Sequence, residues 1–223
     1  MAIHMTEQAR TGSRPARVAV LCAMTFFQGN VSMGYQLVGS RLLYPYFGST
    51  IYVWALLIST FLLSFSLGSF LGGHIAQAGA GRERRRLLLG LSVAGIGGFL
   101  VTAAFGRRLL DALDPSMDSL ALQLALACGA LFLVPIGAVS ALAPILADLA
   151  SRLGRATGPA SGLVYGVSTA GNITGILLTV FVLIPHLPVS SILYLWLTAA
   201  VLLYGGFHLL DLWFERAAPL GPS

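Results

Sequence analysis

Six apolar runs dominate this chain, at about 18–38, 51–72, 87–105, 120–150, 159–184 and 189–214. Each is close to or beyond the roughly 20 residues that a helix needs to cross about 30 Å of hydrocarbon. Alternating apolar and polar residues are absent from them, so the backbone must satisfy its hydrogen bonds as helices rather than as a closed barrel. The expected fold is all-α, a polytopic bundle of six transmembrane helices. Composition agrees: 57% of the 223 residues are hydrophobic and only 9% are charged, well outside the range of water-soluble domains.

The net charge of +5 would point to nucleic acid in a soluble protein, but here the basic residues sit at the ends of the apolar runs. That placement is topogenic and no nucleic-acid partner is expected. With both termini cytoplasmic, ten of the thirteen arginines fall on the inner side, and Arg41, Arg107 and Arg108 on the outer. The bias predicts a multi-pass membrane protein in that orientation. The domain division that follows is an N-terminal segment over 1–16, a six-helix membrane domain over 17–216 and a tail over 217–223. His4-Met5 resembles a cloning-site remnant, which places the expected natural start at Met5.

No lysine occurs, which excludes Schiff-base chemistry. Cys22 and Cys128 lie inside apolar runs without CxxC spacing and read as small core residues. His186 and His208 should lie near opposite faces of the membrane, too far apart to share a metal. Nothing else has trustworthy ligand spacing, including the three aspartates between 106 and 118, so no metal and no cofactor is expected. Gly95-Ile96-Gly97 lacks the strand-turn-helix context of a nucleotide loop.

Polar residues inside the spans carry the functional signal. The first span holds Gln28, Asn30 and Gln36, and the fifth holds Ser168, Thr169 and Asn172. Amides in hydrocarbon need partners, so these helices should face others, either as interhelical glue or as the walls of a ligand site. Small residues at i, i+4 spacing mark close packing: Ser64, Gly68 and Gly72 in the second span, and the pairs Gly162/Gly166 and Gly171/Gly175 in the fifth. Pro135 and Pro144 should kink or break the fourth span. The connection from His74 to Arg86 ends in an arginine-rich run whose charge makes it cytoplasmic, and Asp148 and Asp211 read as residues near helix ends.

Between the first two spans lies Gly39-Ser40-Arg41-Leu42-Leu43-Tyr44-Pro45-Tyr46-Phe47-Gly48-Ser49-Thr50. Pro45 should prevent continuous helix and Gly48 should permit a sharp change of direction, giving a short re-entrant or interfacial segment. Arg41 has the fork geometry to hold a carboxylate or phosphate, with Tyr44 and Tyr46 beside it. The alternative is an arginine that snorkels above an aromatic belt of Tyr44, Tyr46, Phe47 and Trp54.

The segment from Met33 through Trp54, with RLLxPYFG at its centre, resembles the start of the membrane domain of bacterial fused transporter/spermidine synthase-like proteins. Gly68 to Gly73, Pro135 to Ser140 with Pro144, and Gly162 to Tyr165 through Gly175 and Ile184-Pro185 look like later segments of that domain, so the likeness covers about residues 25–205. It departs at Gln36, where such proteins usually carry glutamate. The resemblance implies a soluble aminopropyltransferase-like domain after the last helix, whereas this chain stops at Ser223 with no glycine loop or paired acids for such chemistry. Aminopropyl transfer is therefore not expected.

Three roles remain open. The first is a non-catalytic subunit or anchor that works in the bilayer with a partner protein or as a homo-oligomer. The second is a small transporter or binder of an organic metabolite, cationic ones included, with its site among Gln28, Asn30, Gln36, Ser168, Thr169 and Asn172. The third is a membrane enzyme with an outward-facing site around Arg41 and Tyr46.

Overall fold

The structure, a computed structural model, describes residues 2–78, 81–113, 119–153 and 156–217, with side chains from 15 to 215. Asp114, Asp118, Arg155 and the tail beyond 217 lie outside the described residues, as do the side chains of Arg10, Arg14 and Arg216. Among the described residues every regular element is helical. In chain order these are α1 (Ala2–Phe47), α2 (Ile51–Gln77), α3 (Arg82–Asp111), α4 (Leu120–Cys128), α5 (Val134–Ser140), α6 (Leu142–Ser151), α7 (Thr157–Leu178), α8 (Ile184–His186) and α9 (Val189–Ala217).

Five stretches are helices long and apolar enough to cross a membrane: Ile51–Gln77, Arg82–Asp111, Leu120–Ser151, Thr157–His186 and Val189–Glu215. The chain is thus a multi-pass membrane protein. The helix α1 is longer than any of these, at 46 residues, and packs through the middle of the bundle, where Leu21, Val31, Tyr35 and Val38 are fully buried.

Prolines shape two of the spans. Pro135 has no N–H to give Leu131, and the helix widens into a π-turn over Gly129–Leu133 just before it. The freed Leu131 carbonyl instead accepts the Thr102 hydroxyl of α3 at 2.7 Å, which satisfies a backbone group that hydrocarbon could not. The chain bends again at Ala141, three residues before Pro144. A second π-turn, Thr179–Leu183, precedes Pro185 in the same way.

Pro45 behaves differently from expectation. The helix continues unbroken through it to Phe47, and there is no re-entrant segment over 39–50. Proline there forfeits one bond near a helix end, at the exposed Arg41, where the freed carbonyl need not be satisfied inside the bundle. The stop is set by Gly48, whose φ of 70° places it in the left-handed region and whose N–H returns to the Tyr44 carbonyl at 2.9 Å. That single backward bond is the αL termination that glycine favours.

Close backbone contact holds the bundle together. The most extensive pairing is α1 against α7, where a Cβ at Gly171 would strike the Phe26 carbonyl and one at Gly175 would strike the Asn30 backbone. On α2, Gly68 abuts Gly137 and Ser140, and Gly72 abuts Ala141 and Pro144. Gly162 and Gly166 do not pack: nothing lies within 4 Å of either Cβ position. Spacing alone shows that a helix has a smooth face, not which way that face points.

Candidate functional site

Where α1, α2, the α5–α6 bend and α7 meet, a cavity of about 210 Å³ opens in the bundle. Gln28 and Ser32 of α1 and Ser140 of α5 form its buried end. Ser69 of α2 and Tyr165 and Thr169 of α7 are exposed and form its mouth, with Ser168, Asn172, Phe65 and Ala143 between. Ser69 is eight residues from the end of α2 and Ser168 eleven from the start of α7, so the cavity lies about 12–16 Å into the bundle at ~1.5 Å per residue.

Every polar group on this wall is neutral. Gln28 donates to the Val139 carbonyl at 3.4 Å and accepts the Ser168 hydroxyl at 3.3 Å, which bridges α1 to α5 and to α7. Both bonds are at the long end of the useful range. Ser140 donates within its own helix to Gly137 at 2.9 Å and across to the Ser64 carbonyl at 3.1 Å. Ser32 differs: it is 2% exposed and its hydroxyl has no partner among the described residues. An unpaired buried hydroxyl costs about 1–3 kcal/mol, and a polar guest in the cavity would recover that cost. At ~30 Å³ per water the space holds about seven waters, or one small polar molecule.

The six inward residues named from sequence therefore divide. Gln28, Ser168, Thr169 and Asn172 line the cavity. Asn30 and Gln36 do not, although both are buried; the Asn30 backbone packs on Gly171 and Gly175, so that position serves the helix contact. Ser32 was missed, yet it lies one helical turn from Gln28 on the same face, a signal present in the spacing.

In the stretch over 39–50, Arg41 is exposed and unpaired among the described residues. Tyr46 is already engaged: its hydroxyl donates to the Asp111 carboxylate at 2.7 Å, tying the end of α1 to the end of α3. That bond to the carboxylate raises the Tyr46 phenol pKa above its ordinary value. The pair reads as a clasp between helix ends, with Arg41 standing apart from it.

An ionic cluster at the opposite end of the bundle went unrecognised in the sequence. Arg84, 2% exposed, donates to Asp211 of α9 at 2.9 Å, lies 3.8 Å from Asp148 of α6 and reaches the Ile75 carbonyl of α2 at 3.5 Å. Arg152 holds Asp148 from the other side at 2.8 Å. Nearby, Arg17 of α1 sits 5.3 Å from the Trp213 ring centre of α9. The arginine run is thus split, with Arg84 buried among four helices while Arg82, Arg85 and Arg86 are exposed.

Comparison with protein-family models, with curated proteins and with solved structures returned no match.

Proposed function

We propose that this chain is a membrane-embedded binding protein, or a small transporter, for a small neutral molecule rich in hydrogen-bonding groups. The observation that carries this is Ser32, a buried hydroxyl without a partner among the described residues, on the wall of a cavity whose other polar members are also uncharged. A polyamine or other cation would meet no carboxylate there, and a buried unpaired charge is costly. The proposed placement is a bacterial inner membrane, which the resemblance implies, with six crossings and both chain ends cytoplasmic on the strength of the arginine bias and of Arg17 meeting Trp213 at one end of the bundle. Kinship with the membrane domain of the spermidine synthase-like proteins belongs to the same proposal.

The test is thermal stability of the purified protein with added solutes. A neutral polyol or amide that binds should stabilise by about 1.4 kcal/mol at tenfold excess over its Kd, whereas a diamine or a carboxylate should not. Ser32→Ala should keep or raise the unliganded stability by up to ~1 kcal/mol and abolish most of the solute effect. A diamine that stabilises as strongly as the neutral solutes would refute the assignment.

A second reading, a non-catalytic module that pairs with another membrane protein or with itself, is favoured by one specific feature. Gly158, Gly162, Gly166 and Ala170 form an exposed ridge on α7, and none of the three glycines has an atom within 4 Å of its Cβ position. A smooth ridge of that kind lets a second helix approach closely. Gly162→Leu should then disperse any oligomer or complex without unfolding the chain; an assembly indifferent to that change would dismiss this reading.

A further inference from the structure

A second opening, larger and of opposite character, lies on the far side of α2. Between α2 and α3 lies a groove of about 420 Å³, walled by Leu67 and Leu71 of α2 and by Leu87 and Gly90 of α3, with Gly137 and Ala138 of α5 also lining it. Small residues create it: a Cβ on Gly90 would meet nothing within 4 Å. Its lining is apolar except at one end, where Arg86 enters the wall. Arg86 is exposed, and among the described residues no carboxylate pairs with it; Asp148 and Asp211 are committed to Arg84 and Arg152, and the neighbouring Glu83 makes no ion pair.

We infer that this groove is a binding site for one anionic phospholipid, its acyl chain along the groove and its phosphate on Arg86. The dimensions fit one leaflet: from Arg86 to Ala94, eight residues along α3, is about 12 Å at ~1.5 Å per residue, against roughly 15 Å for half of a ~30 Å hydrocarbon core. Charge selects the headgroup. A guanidinium with free N–H groups at the membrane surface offers a bidentate grip on phosphate, and Arg82 and Arg85 in the same turns add positive potential. Apolar walls and an unpaired arginine at the end define a lipid with a negative head, where apolar walls alone would define only hydrocarbon.

The test is lipid retention by the intact protein purified in mild detergent, offered equal amounts of phosphatidylglycerol and phosphatidylethanolamine and read by native mass spectrometry. Wild type should retain the anionic lipid preferentially. Arg86→Gln should reduce that preference about fivefold, corresponding to ~1 kcal/mol for one arginine at the surface, while Arg86→Lys keeps most of it. Gly90→Leu, which fills the groove from a position that touches no neighbour, should release the bound lipid although Arg86 remains. Equal retention of both lipids by wild type, or an anionic preference that survives both Arg86→Gln and Gly90→Leu, would overturn the site.

Discussion

Replacing Arg84 by alanine is expected to destabilise the protein by about 3–5 kcal/mol, the cost of leaving a buried carboxylate without its counter-charge. Asp211 is itself only 8% exposed, and Arg84 is its ion-pair partner at 2.9 Å. Asp148 suffers less, since Arg152 still holds it at 2.8 Å. The cost therefore belongs to the orphaned Asp211 and should vanish with it. The double variant Arg84→Leu with Asp211→Leu should recover most of the loss, because a buried pair exchanged for well-packed apolar side chains is often close to neutral. Denaturant or thermal unfolding in detergent measures both, and a double variant no more stable than the single one would show that the arginine acts through packing instead of charge.

The second large effect is expected at Gly171. A side chain there must occupy the position of the Phe26 carbonyl, with the Asn30 amide nitrogen also only 3.1 Å from the Cβ position. These are backbone atoms of α1, which cannot swing aside as a side chain could, so Gly171→Leu must push apart the most extensive helix pair in the bundle. Overpacking of this kind costs about 1–3 kcal/mol where relaxation is easy, and more is expected here because a whole helix has to move. Gly162→Leu, nine residues earlier on the same helix but facing outward with nothing within 4 Å, should change the stability of the single chain by no more than about 0.5 kcal/mol. Comparable losses from the two substitutions would contradict the described orientation of α7.

These two glycines also mark how far the fold could be read from sequence. Helicity and the number of apolar runs followed from length and hydropathy, and the packing roles of Gly68, Gly72, Gly171 and Gly175 followed from i, i+4 spacing. The same spacing occurs at Gly162 and Gly166, which face outward, because periodicity groups residues onto a face without saying what covers it. Pro45 gave a break that did not form: its effect depends on whether the freed carbonyl is exposed or must be satisfied in hydrocarbon, as Leu131 is by Thr102. Arg84 was hidden among identical neighbours, since its burial depends on α2, α6 and α9 converging on one end of the bundle. Of the cavity residues, Gln28 and Asn172 stood out as amides in apolar runs, and Ser32 could have been found from its i+4 spacing to Gln28, whereas Ser140 is unremarkable in sequence and acquires meaning only from the space beside it.

The account rests on the cavity at Ser32 admitting small neutral polar molecules, and a reactive molecule of that class tests it directly. In a protein carrying Cys22→Ala and Cys128→Ala, cysteine is placed either at Ser32 or, as a buried control outside the cavity lining, at Ser64, which is 0% exposed. The rate of alkylation by iodoacetamide, a small neutral amide, is then measured in the folded state. Ser32→Cys should react on the order of tenfold faster than Ser64→Cys, since access controls thiol reactivity, and saturation with a stabilising neutral solute should slow it. A Ser32→Cys protein as inert as the Ser64→Cys control would show that the cavity is closed to polar solutes and would contradict the proposed function.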